Sequence, residues 1–432
     1  MKAHHRAPAI AKRLTPAGLK GDFEIQYFVG GYGDAWWKSV IAQFKEKNPD
    51  LNIKESAGPK INVQMKPRWL QGDPPDVIYI DGAGSNARQQ IVDDQLLDLT
   101  DWIKEAANVD GEKIVDQMIG QPDMFDGKVY TLPLCSNSGS DNGGPWIGNY
   151  RFPDMHKLAG EMEQIGVRPG IWFRPLLAHY NIPDSWKRYT QNGHFLDPSV
   201  SDVLAYISET IKQMTAWGYQ LIKHDFSTFD LLGQWGFQMG SNVTTLPYTF
   251  ADRSRTTAEI IGQFYQTIAD ASGDSLIIGC NTIGHLAAGR FEIQRTGDDT
   301  SGRDWERTRR MGINTLAFRM PQHGTFFSHD ADCVGLTNDV PWELNRQWMD
   351  LLSASGTPLF VSASPTDTSK EQQKHIRLAF ERASKSSPVA EPLDWLDTTS
   401  PSRWRIRDQE VEYDWTDYSL TAHSPSEKFW WK

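Results

Sequence analysis

The sequence predicts an α/β protein whose larger part is a (β/α)8 TIM-type barrel, preceded by a small α/β lobe. Three observations predict it. From about residue 154 onward, amphipathic stretches at helical spacing alternate with short apolar runs of strand length. Polar or charged residues stand just after several of those runs, where such a barrel assembles its site. The chain has 432 residues, 39% hydrophobic and 23% charged. That is too long for one ordinary domain and in the range of a globular protein.

Residues 1–22 are basic but lack an apolar stretch of signal-peptide type, and read as a disordered lead-in. Residues 23–135 read as the α/β lobe. Phe23 to Val29 is a β run ending in Gly30-Gly31. Asp34 opens a helix with Trp37, Val40, Ile41 and Phe44 on one stripe, stopped near Asn48-Pro49. Leu51 to Lys54 and Pro75 to Ile80 are two further strands, the latter after a Gly72-Asp-Pro-Pro turn, and a helix follows near Ser85 to Asp94.

Residues 136–385 read as the barrel. Its first helix runs from Asp154 to Ile165, with Met155, Leu158, Ala159, Met162 and Ile165 in register and Gly166 at its end. Val167 to Leu176 is a buried strand. Ser201, as N-cap, opens a helix to Trp217, closed by Gly218. Then come strand Tyr219–Phe226, helix Arg255–Ala271, strand Ser275–Cys280, and two more strands at Ile313–Phe318 and Pro358–Ala363. Residues 386–432 form a short C-terminal β segment, with Glu412-Tyr-Asp-Trp415 as its opening strand.

Composition excludes several functions. A net charge of −11 argues against a nucleic-acid partner, which requires clustered Lys and Arg. Three scattered cysteines, Cys135, Cys280 and Cys333, make no disulfide framework, and no metal-ligand spacing appears. No apolar run reaches the roughly 18 residues of a membrane span. The expectation is a cytoplasmic protein without metal or organic cofactor. Seventeen tryptophans either fill cores or stack on sugar rings.

The chemistry gathers at strand ends. Lys223-His-Asp225 follows an apolar strand; the ammonium favours an ionised carboxylate, as a nucleophile requires. The same pair is also what an ordinary surface ion pair looks like. Further on, Arg295-Thr-Gly-Asp298-Asp299 puts two acids beside Gly and Arg, either a solvated turn or a second catalytic carboxylate. Retaining glycosidases use two carboxyl groups about 5–5.5 Å apart, one ionised and one protonated. Two strand ends of one barrel supply such a pair.

Several motifs in order carry a family resemblance: Gly144-Pro-Trp146 with Phe152-Pro-Asp-Met155, Gly166-Val-Arg-Pro-Gly-Ile-Trp172 and Arg174-Pro175, Lys223-x-Asp225, Cys280-Asn281, Arg295-x-x-x-Asp299, and Asp330-Ala-Asp-Cys333. Over about 220 residues the chain resembles the catalytic barrel of clan D glycoside hydrolases, closest to family 36, the α-galactosidases (melibiases). The resemblance implies Asp225 as nucleophile and Asp299 as acid/base, with Asp298 as second choice for the acid. It implies that Lys223 and Arg295 hold sugar hydroxyls, that Cys280 and Asn281 wall the pocket, and that Trp172, Arg174 and Asp330 lie around it. The implied partner is an oligosaccharide or α-galactoside.

A second resemblance covers about 110 residues. Phe44 with Asn48-Pro49, Gly72-Asp-Pro-Pro-Asp-Val77, Leu97-Asp-Leu-Thr100 and Asp126-Gly-Lys-Val-Tyr-Thr-Leu-Pro133 resemble the first lobe of an extracellular sugar-binding protein of ABC transporters. Where the hydrolase family has an Asp-Asp-Gly-Trp strand, this chain reads Leu134 to Trp146, with Asp141 the only acid nearby. Lys128 to Leu134 is the β run placed to fill that position. The function expected is hydrolysis of terminal α-galactosidic or related bonds with retention. The alternatives are a transport-type sugar-binding protein and a catalytically inactive fusion.

Overall fold

The computed structural model describes residues 19–29, 34–58, 60–79, 87–107, 111, 113, 114, 124–131, 143–148, 152–178, 182–190, 193–236, 239–244, 249–300, 302–337, 339–363 and 368–418. The lead-in up to residue 18, Cys135, Asp141, the run 132–134 and the last residues from 419 lie outside them. The chain divides into two compact units. One holds Met1–Asp141 with Asn149–Arg151 and Tyr189–His194; the other holds Asn142–Gly148, Phe152–Arg188 and Phe195–Lys432.

In the first unit β1 (Gly21–Phe28) lies between β2 (Leu51–Gly58) and β3 (Val77–Ile78), parallel to both. Alternation along β1 buries Ile25 and Tyr27, and α1 (Ala35–Lys47) covers them with Trp37 and Ile41, four residues apart on one face. The Asn48 amide donates to the Phe44 carbonyl at 2.9 Å and ends α1 before Pro49. Helix α2 (Ile61–Leu70) adds a second small core of Ile61, Met65 and Trp69. One expectation fails here. Lys128–Val129 does not serve the barrel: it pairs antiparallel with Met124–Phe125 about the Asp126-Gly127 turn, where both residues have positive φ. Two residues after a tight turn are fixed by the turn, whatever their β character.

The second unit opens with α3 (Met155–Gln164), capped by Asp154, whose carboxylate accepts the Lys157 N–H at 2.9 Å. Five parallel strands then follow in sequence order within one sheet: β4 (Gly170–Phe173), β5 (Leu221–His224), β6 (Leu276–Cys280), β7 (Ile293–Arg295) and β8 (Ser328–Asp330). Helix α4 (Ser201–Ala216) crosses between β4 and β5, and α5 (Thr257–Ser272) between β5 and β6. Their buried stripes, Val203, Ile207, Ile211 and Met214 on one and Ile260, Ile261, Phe264 and Ile268 on the other, meet Phe173, Ile222 and Ile277 of the sheet in one core. Thr256 caps α5 in a reciprocal box with Glu259. Ser201 is not the expected cap of α4: Val200 holds that position and Ser201 is the first helical residue.

Beyond β8 the chain resumes as β9 (Cys333–Leu336), which pairs in parallel with β10 (Phe360–Ala363) across the buried helix α7 (Trp342–Ala354). A helix of Asn314–Arg319, here α6, precedes β8. The expected strand Ile313–Phe318 is therefore helical. Its β-branched Ile313 and Thr315 look strand-like in isolation. Yet Ile313, Leu316, Ala317 and Met320 recur at three- and four-residue spacing and bury in one cluster with Trp348.

The eight-stranded closed barrel is not what the described residues show: the five-stranded sheet is open, with β4 and β8 at its edges. Near β4, Gly144 makes a parallel bridge to Ala178, its N–H donating to the Leu177 carbonyl at 2.8 Å. The C-terminal segment is a three-stranded antiparallel sheet of β11 (Glu391–Pro392), β12 (Arg403–Ile406) and β13 (Gln409–Glu412). Glu412 thus ends its last strand rather than opening its first.

Candidate active site

The register of the parallel sheet builds the site. Cys280 lies opposite Arg295, and Arg295 opposite Asp330. His224 lies opposite Gly279 and Phe173, so the next residue of each strand continues the row with Arg174, Asp225 and Cys280. Five adjacent strand ends therefore present Arg174, Asp225, Cys280, Arg295 and Asp330 in a single line. Residues one step away point to the other face. There His224 packs against Phe291, ring centroids 4.6 Å apart, and desolvation lowers its pKa to about 3.

Asp225 sits at the centre of this row and is 9% exposed. Oδ1 accepts the Phe226 N–H and the Asn281 amide, each at 2.6 Å, and Oδ2 accepts the Trp172 indole N–H at 3.2 Å. Both Phe226 and Asn281 are left-handed, with φ of 68° and 52°. For an aromatic residue that conformation is strained and typical of positions fixed by function. Burial favours the protonated acid. The Arg295 charge, the Asn281 amide and the Phe226 N–H together outweigh it, so the Asp225 pKa lies below its ordinary value. It is a desolvated, ionised, oriented carboxylate.

Burial works against the Lys223 ammonium as well, but the Asp332 and Asp330 charges around it raise its pKa above normal. Cys280 is wholly buried, and desolvation drives its thiol pKa well up. A buried thiol held neutral in this way is a poor nucleophile. Arg295 is 3% exposed and donates to Asp299. The Asp299 side chain itself is 56% exposed, projecting from a buried anchor. Asp298 is held in place: its carboxylate accepts the Asp299 N–H and an Arg307 N–H, both at 2.8 Å.

Arg174 is engaged within the protein itself. Its Nε and Nη2 meet both oxygens of Asp230, at 2.9 and 2.5 Å, and its guanidinium lies 4.0 Å from the Phe226 ring centroid. Asp230 is wholly buried; desolvation raises its pKa and Arg174 opposes the rise. This pair underpins Phe226 and through it Asp225. Sequence reasoning did not single out Asp230, which lies in the short apolar turn of helix Ser227–Leu232 without a motif of its own.

Asp330 is the last residue of β8, 2% exposed, and its Oδ1 accepts the Asp332 N–H at 2.7 Å. Burial, then the Asp332 charge, push its pKa up to about 6.

No family model matches the chain. A stretch of 109 residues is 28% identical to a multiple sugar-binding protein of Streptococcus mutans, covering 24% of this chain and 23% of that one. Among solved structures, similarity is found to an α-galactosidase from Thermus thermophilus in complex with p-nitrophenyl α-D-galactopyranoside (TM-score 0.45, 21% identity, 62% of this chain and 56% of that one). An isomalto-dextranase from Arthrobacter globiformis T6 gives TM-score 0.45 at 13% identity, over 58% of this chain and 49% of that one. α-Galactosidase I from Mortierella vinacea gives 0.37 at 14%, over 55% and 57%. The chain thus spans about half the length of these structures and under a quarter of the curated relative. Likenesses of this size leave the chemistry to be argued from the residues themselves.

Proposed function

We propose that the second unit is a retaining glycosidase acting on terminal α-galactosidic bonds, with Asp225 as nucleophile and Asp299 as acid/base. The observation that carries this is Arg295: one buried guanidinium keeps Asp225 ionised and at the same time bonds Asp299. Two carboxyl groups therefore share one anchor at the ends of β5 and β7, on either side of β6, one buried and one projecting.

In the first step Asp225 attacks the anomeric carbon, the glycosidic C–O bond breaks, and Asp299 protonates the departing oxygen. In the second, Asp299 takes a proton from water, which attacks the same carbon and releases Asp225. Arg295 serves a sugar hydroxyl by charge-assisted hydrogen bonds. Lys223 serves another hydroxyl, and Trp172 orients the nucleophile.

The test is release of p-nitrophenol from p-nitrophenyl α-D-galactopyranoside by the purified chain. The parent is expected to turn over, and Asp225→Ala to lose at least about 10³-fold in kcat. A folded parent that releases nothing sinks the proposal. A second reading, sugar binding without turnover by the first unit, has in its favour the 28% identity to a sugar-binding protein over 109 residues. Calorimetric binding of an oligosaccharide that survives Lys223→Ala combined with Arg295→Ala would favour it.

A further inference from the structure

The acid-bearing segment between Arg295 and Gly302 is held at several points, and Asp332 makes two of them. Asp332 Oδ2 accepts the Thr300 N–H at 2.6 Å and stands 3.0 Å from the Thr300 hydroxyl, which also reaches the Cys333 carbonyl at 2.7 Å. Asp332 Oδ1 lies 3.9 Å from Arg295 Nη1, the same nitrogen that bonds Asp299. One carboxylate thus touches both sides of Asp299: the residue that follows it, and the guanidinium that holds it.

The clamp is itself held. Asp332 has φ of 69°, a left-handed turn, and its N–H donates to the buried Asp330 carboxyl. Thr300 is wholly buried, while the Asp299 side chain between these anchors stays exposed. Two of its glycines are closely packed. A Cβ on Gly297 would overlap the Met311 carbonyl, and one on Gly302 would overlap the Gly335 backbone.

The geometry points to Asp332 as a positioning residue for proton transfer, fixing the backbone from which Asp299 works. This rests on the glycosidase reading above. General acid catalysis needs its carboxyl within hydrogen-bond reach of the departing oxygen, and small displacements are costly. Among the described residues the Asp332 carboxylate bonds Thr300 and lies beside Arg295, and it makes no hydrogen bond to Asp225. Its loss therefore shows where the leaving group needs a proton and not where it does not.

The experiment compares p-nitrophenyl and methyl α-galactoside as substrates for the parent, Asp332→Ala and Asp332→Asn. Asp332→Ala is expected to lose about 10²-fold in kcat/KM on the methyl glycoside and less than about tenfold on the nitrophenyl one. Asp332→Asn, which keeps an acceptor for Thr300, loses less in the same sense. That variant decides the question should the Ala chain fail to fold. Equal losses on both substrates overturn the proposal.

A second readout is independent of turnover. Hydrogen exchange of the peptide holding Thr300 rises at least about tenfold in Asp332→Ala, with peptides of α4 unchanged. Unchanged exchange at Thr300 overturns the clamp. A parent active on neither substrate overturns the glycosidase reading instead, and the exchange result then decides on the clamp alone.

Discussion

Asp330 carries the clearest pH consequence in the molecule. Its folded pKa of about 6 lies above the ordinary 3.8, because burial and the Asp332 charge disfavour the carboxylate. Between roughly pH 4 and 6 the folded chain holds a proton that the unfolded chain has lost. Stability from this group therefore falls as pH rises through that window and stays reduced above it. Asp330→Asn keeps an acceptor for the Asp332 N–H and removes the titration. Relative to the parent, it is expected to gain on the order of 3 kcal/mol between pH 4 and pH 7. Urea unfolding at the two pH values checks this; a difference that stays constant, or grows toward pH 4, contradicts it. The sequence shows Asp225, Asn281 and Arg295 because each stands at or just after the end of its strand in a recognisable short motif. It does not show that Arg174 is already engaged, because Asp230, its partner, lies 56 residues on and is brought there only by the fold.

At the scale of elements, the Gly302 loop lies directly against the backbone of β9. Gly302 has φ of 68°, and any side chain there would enter the backbone of Gly335. Neither the strand nor the loop yields cheaply, since the strand is paired along its length with β10. Gly302→Ala should therefore cost about 2 kcal/mol or more, read as a lower urea midpoint at unchanged slope. A midpoint within error of the parent would mean that the loop moves freely. The helices α3, α4 and α5 were readable because each repeats its apolar stripe over three turns or more. Ile313–Phe318 was not, because six residues hold too little of a period and the neighbours that bury them come from α7. Strand β7 is three residues long and shows even less.

At the scale of the whole molecule, hydrophobic burial sets how the chain unfolds. The cluster of Ile25, Tyr27, Trp37 and Ile41 and that of Ile61, Met65 and Trp69 belong to the first unit. The large clusters around Phe173 and Ile207 and around Trp348 and Trp404 belong to the second. Alternation of helix and strand made the α/β class legible throughout, but closure of a barrel depends on pairing between distant strands that no local pattern records. Since apolar burial is the main cohesive term, cores drawn from separate units unfold as separate cooperative steps. Scanning calorimetry of the full chain should show two transitions, the smaller from the first unit. Galactose at saturating concentration should raise only the larger one, because the proposed site lies wholly in the second unit. A single transition whose calorimetric and van't Hoff enthalpies agree for all 432 residues would refute the separation. A shift confined to the smaller transition would move sugar binding to the first unit and leave Asp225 and Asp299 without a bound substrate.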